Sequence, residues 1–187
     1  MRRAFPGDAI GAVGVGAGRG MAFDLKIRPN RLPWPPVLFA LAVLAALFAQ
    51  YIQPRTLGVD APARLPGVVI LLAGLALTGW AIQTMRTAHT NIAPHRAADK
   101  LVTSGPFAIS RNPIYLGVTI AMLGLAGVLN SLWMVLAAFS AAALVSALAI
   151  RREEGHLALR FGSAWTSYCA RTPRWISADS FGRRRKA

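Results

Sequence analysis

Hydrophobic residues gather into long uncharged runs, and the polar residues lie between and after them. The runs cover residues 32–54, 66–85 and 113–150. A run of about 20 apolar residues is long enough to cross the hydrocarbon core of a bilayer as a helix. The third run suits two crossings, with Asn130 and Ser131 as the turn of a helical hairpin. The pattern predicts the following helices: about 36–53, 66–85, 113–129 and 132–160.

These runs predict an all-α fold, an integral membrane helical bundle of about four transmembrane helices with a cytoplasmic connector and a C-terminal helix. The third helix is short, so three spans remain the alternative count. Residues 1–31 are expected to be a partly disordered cytoplasmic segment, with either Met1 or Met21 as the start. Residues 32–176 would form the membrane domain, and residues 177–187 a basic tail.

Composition agrees with a membrane location. The chain is 55% hydrophobic, its mean hydropathy is +0.45, and only 15% of its residues are charged. A soluble domain of 187 residues has too little interior to bury that much apolar surface. No Asp, Glu, Lys, Arg or His lies inside the runs. This absence disfavours a transporter, because coupling ions need charged partners at mid-membrane.

The net charge of +14 raises the possibility of a nucleic-acid partner, but the positions of the basic residues argue against one. Four lie between the second and third helices, and nine follow Ile150. Lys and Arg concentrate on the cytoplasmic side of membrane proteins. The asymmetry predicts that both termini and the central connector are cytoplasmic. The expected location is a bacterial inner membrane. The tail is expected to meet anionic lipid headgroups.

Sites of other classes find little support. Gly14, Gly16 and Gly18 do not follow a strand, as a nucleotide-binding loop would. The three histidines match no helix-face spacing. Cys169 is the only cysteine, which excludes an internal disulfide and a Cys-rich metal site. We therefore expect no metal.

The connector before the third helix is longer than helix connections usually are and is dense in turn-forming residues. It enters the helix through Asn112 and Pro113. Proline suits the first turn, and asparagine suits the cap before it. Free N–H groups at such a helix start favour an anion such as a carboxylate. A plain helix start is the alternative interpretation.

Glu153 and Glu154 are adjacent acids at the end of the fourth helix, where the helix dipole disfavours carboxylates. They need a partner, which could be a cationic ligand or the neighbouring Arg151 and Arg152. A helix that continues past Phe161 would also remove the conflict. The aromatic residues that follow fit a belt at the lipid headgroups: Trp165, Tyr168 and Trp175.

The two polar segments together resemble the isoprenylcysteine carboxyl methyltransferase and phospholipid methyltransferase superfamily. The first segment is Leu101-Val-Thr-Ser-Gly-Pro-Phe107 followed by Arg111-Asn-Pro-Ile-Tyr-Leu-Gly117. The second segment combines these residues: Glu153, Glu154, Leu157, Phe161, Gly162, Trp165, Tyr168, Pro173 and Arg174. The resemblance implies an S-adenosylmethionine-dependent membrane enzyme built on a small helical bundle.

The resemblance also implies a cytoplasm-facing cofactor pocket made from both segments. No catalytic residue is assigned, because methyl transfer is a single displacement that needs alignment rather than an enzyme nucleophile. The residues implied for the cofactor are Asp99, Lys100, Leu101, Val102, Phe107, Asn112, Pro113, Ile114, Tyr115, Glu153 and Glu154.

Three positions depart from the family pattern. Many members have His where this chain has Asn112, and Tyr where it has Phe107. Asparagine hydrogen-bonds but does not titrate, which implies binding rather than proton transfer. Members also carry an arginine near the position of Ala149. Here Arg151 and Arg152 are the nearby substitutes and are assigned to the substrate.

The leading hypothesis is an integral membrane S-adenosylmethionine-dependent methyltransferase. Its acceptor would be a membrane lipid or isoprenoid, of the prenylcysteine carboxylate type or the phospholipid amine type. The alternative is a non-catalytic scaffold or lipid-binding protein with the same bundle. The leading hypothesis requires Tyr115 and Glu153 to lie close enough to touch one small molecule.

Overall fold

The computed structural model describes residues 34–58, 60, 64–89 and 100–177. Within these ranges the chain is helical and contains no strand. A 3₁₀ turn, Gly105–Ala108, precedes the third helix, and a π-helical segment, Ser146–Ile150, joins the fourth helix to the fifth. The helices are α1 Trp34–Ile52, α2 Leu65–Thr87, α3 Pro113–Leu129, α4 Leu132–Val145 and α5 Arg151–Arg171.

The outer surface of these helices is apolar, as the hydrophobic runs predict. Large side chains such as Leu44, Phe48 and Leu72 are exposed where lipid tails would lie. Three helical stretches are long and apolar enough to cross a membrane, and α3 is shorter: Pro35–Ile52, Leu65–Thr87 and Leu132–Arg171. The prediction of an all-α membrane bundle is confirmed.

The N-terminal segment, the glycines at 14, 16 and 18, Asp99 and the basic tail after residue 177 lie outside the described residues. The sequence predicts an end of the fourth helix near residue 160. In the structure α4 continues through the π-helical segment into α5, which ends at Arg171. One break in helical geometry occurs inside α5, at Gly162 (φ 50°, ψ −121°).

Helices α2 and α3 pack antiparallel with their backbones in contact. A Cβ built on Gly124 would lie 2.2 Å from the backbone nitrogen of Leu71, and one on Gly74 would lie 2.4 Å from that of Ala121. Small residues allow such close approach between membrane helices. The pairing places the start of α3 beside the end of α2.

The predicted hairpin between α3 and α4 is confirmed. Asn130 adopts a left-handed conformation (φ 49°), and the Ser131 hydroxyl accepts a hydrogen bond from the N–H of Met134. The connector between α1 and α2 reaches the same turn, since the N–H of Leu57 donates to Asn130 Oδ1 at 2.9 Å. We call this part of the bundle the turn end. The opposite part, where α3 begins, is the site end.

Candidate functional site

The site end brings four parts of the chain together: the 3₁₀ turn, the start of α3, helix α5 and residues 172–175, which we call the C-terminal strap. Pro113 occupies the first turn of α3 and is fully buried. Asn112 is the cap residue by position, but its side chain makes no capping bond. Its amide Nδ2 donates instead to the carbonyl of Arg174 at 3.1 Å. Asn112 therefore joins the helix start to the strap.

Tyr115 and Glu153 are in direct contact. The phenol O–H of Tyr115 donates to Glu153 Oε1 at 3.0 Å, across 38 positions of sequence. On its other side Tyr115 stacks with Phe39 of α1, with ring centroids 6.4 Å apart. The structure thus meets the requirement that these two residues lie within reach of one small molecule.

Glu154 is held between two arginines. Its Oε1 lies 3.0 Å from Arg111 Nη1 and 3.0 Å from Arg174 Nε, and its Oε2 accepts from Arg174 Nη2. This hydrogen-bonded carboxylate raises the pKa of the Arg174 guanidinium above its usual range. The partners of Glu154 in these bonds come from distant positions, whereas Arg151 and Arg152 are exposed.

The strap is fixed to the start of α3 through its backbone. The N–H of Arg111 donates to the carbonyl of Pro173 at 2.9 Å. The hydroxyl of the fully buried Ser110 donates to the carbonyl of Arg174 at 3.1 Å. Trp175 extends the attachment, because its indole N–H donates to Ser146 Oγ of the π-helical segment at 3.2 Å.

An open cleft lies beside this cluster. The Arg111 guanidinium lies 5.8 Å from the centroid of the Trp165 ring, and the Tyr168 O–H donates to the carbonyl of Phe107 at 2.7 Å. The residues that line the cleft are Met85, Lys100, Leu101, Val102, Phe107, Arg111, Leu157, Trp165 and Tyr168.

The residues assigned from sequence fall into three groups. Lys100, Leu101, Val102 and Phe107 line the cleft. A second group, which lies at the start of α3 and of α5, is outside the cleft lining: Asn112, Pro113, Ile114, Tyr115, Glu153 and Glu154. Arg151 and Arg152 are exposed and also lie outside that lining.

Arg111 connects the cleft with the acidic residues and was missed by the sequence reasoning. It lines the cleft, pairs with Glu154 and donates to Cys169 Sγ at 2.9 Å. Its place directly before Asn112 in the motif was the available signal. Met85, by contrast, ends an apolar run and carries no signal that distinguishes it from a lipid-facing residue.

The interpretation of Trp165 and Tyr168 as part of a headgroup belt is wrong. Trp165 is 7% exposed and Tyr168 is 3% exposed, and both face the cleft. Their rings meet edge to face with centroids 5.7 Å apart. They fall on one face of an amphipathic helix, which packs inward rather than toward lipid.

Comparison with known proteins bears on this site. A family model for phospholipid methyltransferases matches residues 63–164, which is more than half of the chain. The match includes α2, α3, α4 and the first part of α5, and therefore the Tyr115–Glu153 contact. It ends before the strap. A comparison with curated proteins gives no match.

Proposed function

We propose that this chain, which belongs to the phospholipid methyltransferase family, transfers a methyl group from S-adenosylmethionine to an amine headgroup of a lipid-like acceptor. Family membership supports methyl transfer in a membrane, and the apolar exterior of the bundle supports an acceptor that arrives from the bilayer. The single observation that carries the proposal is the contact of Tyr115 with Glu153 at the end of the bundle that holds the open cleft.

The residues of the cleft fit S-adenosylmethionine. Leu101, Val102 and Leu157 offer an apolar surface, and Phe107 and Trp165 offer aromatic rings. Such a lining suits a flat adenine ring. The bound cofactor would supply an electrophilic methyl group on a cationic sulfur. Cations are favoured near aromatic faces and carboxylates, and the site has both.

Glu153 favours an amine over a carboxylate as the acceptor. A carboxylate acceptor would meet Glu153 with like charge, whereas a lipid ammonium group would pair with it. Glu153 would accept a proton from that ammonium at a carboxylate oxygen, which leaves a lone pair on nitrogen for the attack. Tyr115 would hold the carboxylate in position through its 3.0 Å hydrogen bond.

Much of the acceleration of methyl transfer would come from alignment of the donor with the acceptor and from exclusion of water. Tyr115 is backed by the buried Phe39, and the core behind them is apolar. A site that excludes water strengthens the electrostatic contacts within it and holds the donor and acceptor in line. We expect the acceptor to enter between helices from the bilayer, with its headgroup at Glu153.

The proposal is tested with detergent-purified protein, S-adenosylmethionine labelled in the methyl group, and a total lipid extract. We expect the label in an amine-bearing phospholipid, retained after alkaline hydrolysis because N-methyl bonds survive it. Label released as methanol would identify a carboxyl ester and overturn the amine assignment. Cofactor binding without transfer to any lipid would overturn the enzyme assignment and favour the scaffold alternative.

A further inference from the structure

We infer that the C-terminal strap is part of the cofactor site, and that Glu154 is a positioning residue that holds Arg111 in the cleft wall. This inference rests on the proposed function, since it assigns the cleft to S-adenosylmethionine. It extends the site past residue 164, where the family match ends.

The strap is attached to both sides of the site. Its backbone accepts hydrogen bonds from the N–H of Arg111, the Ser110 hydroxyl and the Asn112 amide. Trp175 bonds to Ser146 on the segment that leads into α5. These contacts bring Arg174 to Glu154 across 20 positions of sequence. The strap therefore fixes the geometry between the start of α3 and the start of α5.

Glu154 has its hydrogen-bonding capacity engaged within the protein. Both of its oxygens are bonded to arginine nitrogens, and its side chain is only 14% exposed. Removal of either arginine would destabilise this arrangement, because a largely buried carboxylate that loses one partner has too little positive charge around it. A cofactor cation could reach Glu154 only by displacing Arg111 or Arg174.

Arg111 links Glu154 to the cleft, because it contacts Glu154 and also lines the cleft wall. Its Nη1 contacts Glu154 and Cys169, and its guanidinium lies over Trp165. Its side chain is 16% exposed, so these neighbours define its rotamer. Both Arg111 and Trp165 line the cleft. When Arg174 holds Glu154, Glu154 in turn holds Arg111 and thereby sets the shape of the wall.

The competing role for Glu154, direct binding of the cofactor cation, predicts the opposite sign for one variant. If Arg174 competed with the cofactor for Glu154, Arg174→Gln would free the carboxylate and tighten cofactor binding. If Glu154 acts by positioning, Arg174→Gln loosens Arg111 and weakens cofactor binding. The sign of that change therefore separates the two roles.

The experiment measures the dissociation constant of S-adenosylmethionine by calorimetry for five full-length proteins and one control variant in detergent. They are the wild type, Glu154→Gln, Arg174→Gln, the double variant and Arg174→Lys. Arg171→Gln is the matched control, because Arg171 is an exposed arginine three positions earlier whose side chain makes no ion pair or hydrogen bond among the described residues. Melting temperatures are measured in parallel to identify any variant that does not fold.

We expect Arg174→Gln and Glu154→Gln each to weaken binding by roughly tenfold, within the range of coupled contacts. The double variant should be no weaker than Glu154→Gln alone, and Arg174→Lys should recover part of the loss because it keeps the charge. Arg171→Gln should bind as the wild type does. Unchanged or tighter binding in Arg174→Gln, or additive losses in the double variant, would overturn the inference.

The same measurement separates this inference from the proposed function. A wild type that does not bind S-adenosylmethionine would refute the proposed function. A wild type that binds it, with variants that fail the expected pattern, would refute the positioning role alone. In Arg174→Gln the rise in KM for S-adenosylmethionine should exceed the fall in kcat, because its defect lies mainly in cofactor affinity.

Discussion

In the proposed function the contact between Tyr115 and Glu153 concentrates the chemistry of the site in two side chains. The proposed function requires a carboxylate at Glu153, and Tyr115 gives that side chain a directional partner at 3.0 Å. Hydrogen bonds to charged groups stabilise by about 1.5–3 kcal/mol, more than neutral ones. A phenol that is bonded in this way fixes the carboxylate for a ligand that approaches its other oxygen.

The first prediction concerns Tyr115→Phe. The substitution keeps the ring stacked on Phe39 but removes the O–H that holds Glu153. We expect kcat/KM for methyl transfer to fall about tenfold or more, a loss of about 1.4 kcal/mol or more. Steady-state assays with labelled cofactor measure it.

Tyr51→Phe is the control for that loss. Tyr51 is 83% exposed at the end of α1, and removal of its O–H should leave kcat/KM unchanged. Equal activity of Tyr115→Phe and the wild type would show that the hydrogen bond to Glu153 has no part in the transfer.

The second prediction concerns Glu153→Gln, which keeps the shape of the side chain and removes its charge. If Glu153 takes the proton of the ammonium acceptor, the variant should lose at least about a hundredfold in kcat, as general-base variants do. Its affinity for S-adenosylmethionine should change much less than its turnover. Full turnover in this variant would exclude Glu153 as the base.

At the residue scale, the sequence predicted that adjacent acids need a partner but could not name the partner. The candidates on spacing were Arg151 and Arg152, which stand beside them in the chain. The hydrogen-bonded partners of Glu154 are Arg111 and Arg174, which the folding of α3 and the strap brings from 43 and 20 positions away. Such long-range pairs have no local signature, so only the fold reveals them.

At the scale of elements, the contact between α2 and α3 controls where the site is built. Gly67 and Gly74 of α2 face Gly117 and Gly124 of α3, and each pair of positions is seven residues apart. That spacing keeps the small residues on one face of each helix. Because the start of α3 carries Asn112 to Tyr115, any shift of this helix moves the site.

The third prediction tests that contact with Gly124→Ala. The added methyl would lie 2.2 Å from the backbone of Leu71, so the helices must separate. Overpacking of this kind costs about 1–3 kcal/mol. We expect a clear fall in melting temperature in detergent, measured by circular dichroism.

Gly79→Ala, on the partner helix α2, is the matched control. Its added Cβ would meet no atom within 4 Å, so only helix propensity changes. Alanine exceeds glycine by about 0.5–1 kcal/mol in helices, and the melting temperature should hold or rise. A drop of equal size in both variants would refute close packing as the cause.

The fourth prediction concerns the break at Gly162. Its backbone, at φ 50° and ψ −121°, is open to glycine but strained for a residue with a side chain. The break lies just before Trp165 and Tyr168, which line the cleft. Gly162→Ala should therefore weaken S-adenosylmethionine binding by several-fold as the aromatic rings move, at a strain of about 1–3 kcal/mol. Calorimetry of the purified variant measures the change, and unaltered affinity would show that the break does not set the cleft.

Much of this element pattern was readable because apolar runs and turn residues mark helices directly. The starts of α2 and α3 and the Asn130–Ser131 turn were predicted within a residue or two. The continuation of α4 through Ser146–Ile150 into α5 was harder to predict from the sequence. A change from an apolar to a charged amphipathic sequence usually indicates that a membrane helix has ended. Placement of Trp165 and Tyr168 failed for a related reason: aromatic residues near a predicted membrane boundary suit both a headgroup belt and a buried helix face.

At the scale of the whole molecule, the two ends of the bundle differ in charge. The described lysines and arginines near the turn end are Arg55 and Arg64, whereas all the other described ones lie toward the site end: Arg86, Lys100, Arg111, Arg151, Arg152, Arg160, Arg171 and Arg174. Positive residues favour the cytoplasmic side. The site end is therefore expected to face the cytoplasm, where S-adenosylmethionine is made.

The last prediction tests that orientation with single cysteines in a Cys169→Ala background. Thr56 in the connector at the turn end and Ser104 before the 3₁₀ turn at the site end are both exposed. A membrane-impermeant maleimide should label Thr56→Cys in intact cells and Ser104→Cys only after permeabilisation. Each position serves as the control for the other, since both cysteines must become labelled once the reagent reaches both sides of the membrane.

If Ser104→Cys were labelled from outside, the cleft would face away from its cofactor. This follows because the hydrogen bonds at the strap place the cleft, Glu153 and Ser104 at one end of a single bundle. That outcome would reverse the topology and remove cytoplasmic S-adenosylmethionine as the methyl donor for this site.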